Sequence, residues 1–182
     1  MTAERWSYAQ TYWAVPMTGV TASYAPNPIN TVKANLTAVR CSPCTANDSG
    51  RSHLFPFHRR STGTSLIYVP VAVAAAFYNL IPGSKKAPQM EPGYYSFPCS
   101  STLKVSLNFN GKPFAINMVD FNLGKIGSST SKDCIGGIIG HTFSGLAANL
   151  AIIGDEFLRS WYSVYDYSNG AWVGRAPSSN RV

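Results

Sequence analysis

An all-β fold is what the sequence predicts, and three of its features predict it. Charged residues make up only 13% of the chain, while Gly, Pro, Tyr and Phe number 15, 12, 10 and 9; this is the composition of short strands and tight turns, not of a helical bundle or a disordered segment. Leu103, Val105, Leu107 and Phe109 alternate with Lys104, Ser106 and Asn108, and after Asn110-Gly111 the alternation resumes at Phe114, Ile116 and Met118. A period of two on either side of an Asn-Gly pair that accepts positive φ is the pattern of a hairpin. Finally, 182 residues fill one well-cored domain and are too few for two, so a single domain over residues 1–182 is expected.

The elements follow in chain order. Tyr12-Trp13-Ala14-Val15-Pro16-Met17 places aromatic and apolar groups in an extended pattern with no helix cap before it, so the chain enters a sheet almost at once. A first helix is expected over residues 70–81: Pro70 suits its first turn, Val71 to Ile81 is apolar on nearly every face, and Pro82-Gly83 stops it. Residues 83–93, with Lys85, Lys86, Pro88 and Pro92, read as a surface loop. The hairpin at 103–118 comes next. A second helix is expected over 156–162, capped by Asp155, with Phe157, Leu158 and Trp161 on one face. A second hairpin runs from Tyr162-Ser163-Val164-Tyr165 through Asn169-Gly170 to Ala171-Trp172-Val173.

Charge and composition exclude several function classes. The formal net charge is +7, yet the excess is scattered except at Arg51, His53, His58, Arg59 and Arg60, and neither a basic helix nor an RNA-reading aromatic motif accompanies it; no nucleic-acid partner is expected. Met1 to Gln10 contain Glu4 and Arg5 and no apolar run, so no signal peptide is expected in this chain. The longest apolar stretch, Val69 to Ile81, is interrupted by Pro70 and Asn79 and is too short to span a bilayer, so no membrane association is expected. Four cysteines with the sequons at Asn35 and Asn47 fit a secreted or vacuolar setting. Cys41 and Cys44 followed by His53 and His58 superficially suggest zinc. The interval between the pairs is shorter than a finger requires, and Pro56 lies between the histidines where a helix would have to run, so no metal is assigned.

Two segments carry most of the functional information: Ser61-Thr62-Gly63-Thr64-Ser65-Leu66, just before the first helix, and Ala151-Ile152-Ile153-Gly154-Asp155, a buried apolar run ending in Gly-Asp at the start of the second. Together with Cys99, Cys134 and the closing run Phe157 to Asp166, they make the stretch from about Trp13 to Pro177 resemble the carboxy-terminal lobe of a pepsin-type aspartic endopeptidase, fungal in flavour. The resemblance implies one β-barrel-like lobe of twisted antiparallel sheets with two short helices, no cofactor, and a polypeptide substrate. It implies an active-site loop at Ser61, Thr62, Gly63, Thr64 and Ser65, supported by a crossed strand at Ile152, Ile153 and Gly154, and a structural bridge between Cys99 and Cys134. A local bridge between Cys41 and Cys44 is similar to the family's short cysteine loop. Two buried free thiols remain the other reading of Cys99 and Cys134.

The family's chemistry needs two carboxylates sharing one proton, one from each lobe. In the pattern Asp-Thr-Gly-Thr-Ser, Ser61 stands where the aspartate belongs, and a serine hydroxyl cannot share the dyad proton. The chain is therefore expected to be inactive alone, a half-enzyme whose partner is an amino-terminal lobe or a second copy. The alternative is a pseudoenzyme lobe that binds peptide or protein without cleaving it. Residues 45–60 read as an atypical basic insert in place of the family's apolar strand, and a retained or misread intron, or a frameshift, is the expected origin. Burying Arg59 and Arg60 unpaired would cost several kcal/mol, so this insert should loop outward. Asp155 reads as a helix cap rather than a catalytic acid, Asp120 as facing solvent or a turn, and neither Ser61 nor Ser65 has a histidine placed to make it a nucleophile.

Overall fold

The computed structural model describes residues 12–24, 30–41, 64–144, 147–166 and 171–175. In chain order the elements are β1 (Tyr12–Tyr24), β2 (Asn30–Cys41), β3 (Ile67–Val69), α1 (Val71–Asn79), β4 (Lys85–Lys86), β5 (Tyr95–Pro98), β6 (Leu103–Phe109), β7 (Lys112–Ile116), α2 (Met118–Phe121), β8 (Asn122–Lys125), β9 (Asp133–Gly136), β10 (Ile138–Gly140), β11 (Leu150–Ile153), α3 (Asp155–Leu158), β12 (Tyr162–Asp166) and β13 (Ala171–Arg175). The protein is all-β with short helices, as expected from composition. Its strands form a seven-stranded sheet ordered β10-β3-β11-β2-β1-β6-β7, a four-stranded sheet ordered β4-β5-β9-β8, and the β12-β13 hairpin.

The expected hairpin is present as β6 and β7, paired from Val105↔Ile116 to Phe109↔Lys112. Its turn is Asn110 at φ 49° and Gly111 at φ 73°, a left-handed pair that matches the right-handed twist of the flanking strands. Asn accepts that conformation and Gly has no Cβ to oppose it. The alternation does not continue to Met118, because β7 ends at Ile116 and Met118 opens a third helix, α2, that the pattern did not reveal. Asn117 caps it, its side chain accepting from Val119 N at 3.0 Å. Four residues are one turn, too few for a helical period to show against a strand that precedes them.

The long strand β1 lies between β2 and β6. Pro16 is tolerated within it because pairing with β6 begins only at Met17, so at Pro16 the strand has a ladder neighbour in β2 alone. The sheets are mixed, not purely antiparallel: β10 runs parallel to β3, and β11 parallel to β2. Helix α1 forms where expected but starts one residue later, with Pro70 at the capping position and its carbonyl accepting from Val73 and Ala74. It buries Ala74, Phe77 and Tyr78, an i, i+3, i+4 face. Each such Phe removed from water contributes about 1.5–3 kcal/mol.

The core joins both larger sheets. Phe121 of α2 lies 6.2 Å from Phe77 and 5.5 Å from Phe97, ring centroid to centroid, and Phe109 lies 5.7 Å from Phe157 of α3. Tyr78 stacks on Tyr95 at 4.5 Å and donates its hydroxyl to Ile138 O at 2.9 Å. Cys99 and Cys134 form a disulfide with a Cα–Cα distance of 5.0 Å, which closes the reading of two free thiols and ties β5 to β9. Residues 83–93 are largely exposed as expected, although Lys85 and Lys86 add a two-residue strand to β5. The hairpin at 162–173 is present as β12 and β13, paired from Tyr162↔Arg175 to Asp166↔Ala171.

Candidate functional site

The two singled-out segments meet in space. Ile153 pairs with Ile67 and Ile152 with Tyr68 in an antiparallel ladder, so β11 lies beside β3, and on its other side it runs parallel to β2 through Ala151↔Ala38. The chain thus passes from β2 to β3 with β11, more than eighty residues later in sequence, inserted between them. Beyond the ladder the contact continues through the backbone: Asp155 N donates to Thr64 O at 2.9 Å and Glu156 N to Ser65 O at 2.9 Å. The first amides of a helix have no partner within it; here the carbonyls of the 64–65 loop supply two.

Gly154 makes this approach possible. It is buried, its φ of −92° is ordinary, and a Cβ on it would collide with the carbonyl oxygens of Thr64 and Leu66. The requirement is therefore space rather than backbone conformation. Gly154, not Asp155, occupies the capping position of α3, and no side chain caps that helix. Asp155 is instead its first helical residue, where a carboxylate near the positive end of the helix is electrostatically favourable. The helix is shorter than the expected 156–162, ending at Leu158 and passing into a turn that holds Trp161 by a bond from Nε1 to Ala115 O at 2.6 Å.

Around the exit of β3 lies an aromatic group: Tyr68 is 5.9 Å from His141 and 6.4 Å from Phe143, and those two are 4.7 Å apart. His141 N donates to Val69 O at 2.8 Å, which fixes the start of that loop against β3. Partial burial pushes the Tyr68 hydroxyl above its ordinary range, and the nearby Tyr94 and Glu91 add to the push. Behind the crossed strands lies Glu156, only 4% exposed. Its carboxyl rests on the backbone of Gly137, where a Cβ would overlap it. Asp120 does not simply face solvent: it sits in α2, half-buried, and accepts a long bond from Ser160 Oγ at 3.4 Å.

Of the sequence-predicted site residues, the structure sets Thr64 and Ser65 against Gly154, while Ile152 and Ile153 pair with Tyr68 and Ile67 of the adjoining strand. Ser61, Thr62, Gly63, Cys44, Asn47, His53, His58 and the 45–60 insert lie outside the described residues, and Cys41 is described only as the last residue of β2. Asn35 is exposed on β2. Among the described residues no group of three or more His, Cys, Asp or Glu could hold a metal ion, and no helix is long and apolar enough to cross a membrane. Sequence reasoning missed Glu156 and the aromatic group. An acidic residue flanked by Asp155 and the apolar Phe157-Leu158 pair was the only available signal for Glu156, and nothing in the sequence joins Tyr68 to His141.

The profile of the family described as eukaryotic aspartyl protease matches residues 6–177. The chain belongs to this family. Among individual relatives it is 43% identical over 112 residues to an aspartic protease of Phaffia rhodozyma, a match covering 59% of this chain and 26% of that protein. It is 34% identical over 128 residues to major aspartyl peptidase 1 of Cryptococcus neoformans var. grubii, covering 69% and 26%, and 39% identical over 113 residues to vacuolar protease A of Aspergillus fumigatus, covering 60% and 26%. The chain thus spans about a quarter of the length of these relatives. As an aspartyl protease family member it is pepsin-like in fold, and the meeting of its Thr64 loop with Gly154 is the geometry around which a functional reading is built.

Proposed function

We propose that residues 1–182 form one carboxy-terminal lobe of a pepsin-type aspartic endopeptidase, a half-enzyme that does not hydrolyse peptides alone. The observation that carries this reading is the docking of the Thr64–Leu66 loop onto Gly154 and the first turn of α3. That docking holds Thr64 and Ser65, the last two residues of the run Ser61-Thr62-Gly63-Thr64-Ser65, whose sequence follows the pattern of a catalytic Asp-Thr-Gly-Thr-Ser. Peptide hydrolysis by two carboxylates needs one to activate water and the other to protonate the carbonyl oxygen. Ser61 offers a hydroxyl that stays protonated near neutral and acid pH, so it supplies neither role. Losing acid–base catalysis alone removes about 10²–10⁴-fold in rate, and the second carboxylate belongs to another lobe.

In this reading the chain takes a polypeptide into half of a cleft, completed by an amino-terminal lobe or by a second copy. It acts in a secreted or vacuolar compartment, in keeping with the family, the sequons at Asn35 and Asn47 and the disulfide. Peptide binding without cleavage is the second reading, favoured by the half-exposed Tyr68 and Phe143 and the exposed His141 grouped at the exit of β3.

The test is incubation of the purified chain with a denatured protein at about pH 3–5, with and without a transition-state mimic of aspartic proteases, alongside the Ser61→Asp variant. No inhibitable cleavage by the wild type is expected. Cleavage that the mimic abolishes overturns inactivity, and retention of peptide without cleavage selects the binding reading. Sequencing the genomic region for codons 45–61 decides the origin of the basic insert: a splice alternative restoring Asp-Thr-Gly-Thr identifies it as a misread segment.

A further inference from the structure

Glu156 is a buried acid with no catalytic assignment. Its residue is 4% exposed, and neither carboxyl oxygen has a hydrogen-bond partner among the described residues. It lies between the backbone of Gly137 and the crossed strands, and its own amide donates to Ser65 O, one of the two bonds that hold the 64–65 loop. Among the described residues, the charged and titratable groups that face it come from three elements: Asp120 from α2, Tyr78 from α1, and Arg159 from the turn that follows α3. Asp120 is a like charge, Tyr78 is fully buried with its hydroxyl committed to Ile138 O, and Arg159 is exposed on the surface. None of them offers a carboxylate a desolvated counter-charge. Ionised, this group would be a buried charge without a partner, one of the costliest arrangements a fold can hold.

We propose that Glu156 is an acid-side lock on the crossed strands: neutral, it packs α3 onto the Thr64–Leu66 loop, and on losing its proton it drives the first turn of α3 away from that loop. The chemistry is proton loss from the carboxyl to solvent, with no other reactant. Burial, with the Asp120 charge adding to it, pushes the carboxyl up to about 8, while the Ile67 amide, already engaged with Gly137 O at 3.2 Å, and Arg159 pull the other way without offsetting it. The sign follows. A carboxyl whose folded value lies above its unfolded value, about 4.3, leaves the folded state holding more protons than the unfolded state between those limits. Its contribution is therefore complete below about pH 4 and is lost as pH rises towards about 8. This is the reverse of an ion-paired carboxylate. The lock holds in acid, weakens steadily through neutrality and opens as pH passes about 8, whether or not the chain takes part in proteolysis.

The experiment is denaturant unfolding of the full chain from pH 4 to pH 9, comparing wild type with Glu156→Gln, which keeps the shape and cannot ionise. For wild type the unfolding constant should rise by up to about tenfold for each pH unit between about 5 and 8, and the variant should lack that rise and be the more stable of the two at pH 8. Equal pH slopes in the two proteins overturn the proposal. Should the variant fail to fold at every pH, hydrogen exchange on the wild type decides. The Asp155 and Glu156 amides, corrected for intrinsic rates, should lose protection between pH 5 and 8 ahead of Val105 and Leu107 in β6. Parallel loss, or none, overturns it. Asp120→Asn should move the wild-type transition to lower pH, and an unmoved transition counts against the proposal as well.

Discussion

The β6–β7 hairpin and the crossed strands β3 and β11 are both two-stranded antiparallel ladders in one sheet, yet they are specified by different physics. The hairpin closes over two residues, and its register is set by Asn110-Gly111 and by alternating burial of Leu103, Val105 and Leu107. The crossed pair joins segments more than eighty residues apart, aligned in only two register positions, Ile152↔Tyr68 and Ile153↔Ile67. What holds it is a backbone contact that needs a missing Cβ at residue 154 and a neutral acid at residue 156. Local pattern makes the first and long-range fit makes the second. The part that bears on function is thus the part with the least redundancy.

The contrast is broken most sharply at Gly154. A methyl there meets two carbonyl oxygens and the Ser65 carbonyl carbon, at 2.6 Å for the last, and none of these is the flexible end of a side chain. Gly154→Ala should destabilise the protein by about 4 kcal/mol or more, with the Asp155 and Glu156 amides losing exchange protection first. Equilibrium denaturation by urea measures it. A cost of about 1 kcal/mol, the ordinary scale for a helix-start substitution, would mean that the loop yields and that the crossing is less tightly built than its geometry implies.

The disulfide belongs to neither ladder and ranks next. Cys99 and Cys134 are 35 residues apart, and closing a loop of that size constrains the unfolded chain by about 3–4 kcal/mol. Replacing both cysteines by serine should lower stability by that amount while leaving the hairpin and the crossed strands equally affected, because the gain acts through the unfolded state. Reducing the wild type under denaturing titration should reproduce the shift in midpoint. A loss concentrated at β5 and β9 in hydrogen exchange would show that native packing at the bridge, rather than chain entropy, dominates.

How much of this was legible beforehand follows the same division. Residues with a period of two and a turn pair between them could be read directly, as could the apolar run of α1 with its Pro-Gly stop. The family motif singled out Thr64, Ser65, Ile152, Ile153 and Gly154, and in the structure Thr64 and Ser65 lie against Gly154 while Ile152 and Ile153 pair with the strand that follows the loop. The parallel pairings of β10 with β3 and β11 with β2 had no local signature, since pairing partners so distant leave no trace in a short window. Helix α2 hid because Met118 continued the strand's alternation by coincidence. The cap at α3 was misplaced by one residue because Gly-Asp looks the same whether the aspartate caps or follows the cap, and only the close approach of Thr64 O and Leu66 O makes glycine the residue that must stand there.

The smallest effect sharpens the comparison from the hairpin side. A Cβ on Gly111 meets nothing within 4 Å, so Gly111→Ala tests conformation without any clash. At φ 73° the added methyl carries the left-handed penalty of about 1–2 kcal/mol, and the shift in denaturation midpoint should correspond to the lower half of that range because the turn is exposed and can relax. Its effect should add to whatever change Asp120→Asn produces within about 0.5 kcal/mol, as expected for independent sites without shared partners. Non-additivity beyond that would show that the hairpin and the crossed strands communicate, and the obvious route would be Phe109, which lies 5.5 Å from Phe114 of β7 and 5.7 Å from Phe157 of α3. Additivity would instead leave Gly154 and Glu156 as a self-contained unit, whose protonation changes the loop at Thr64 without disturbing the sheet that carries it.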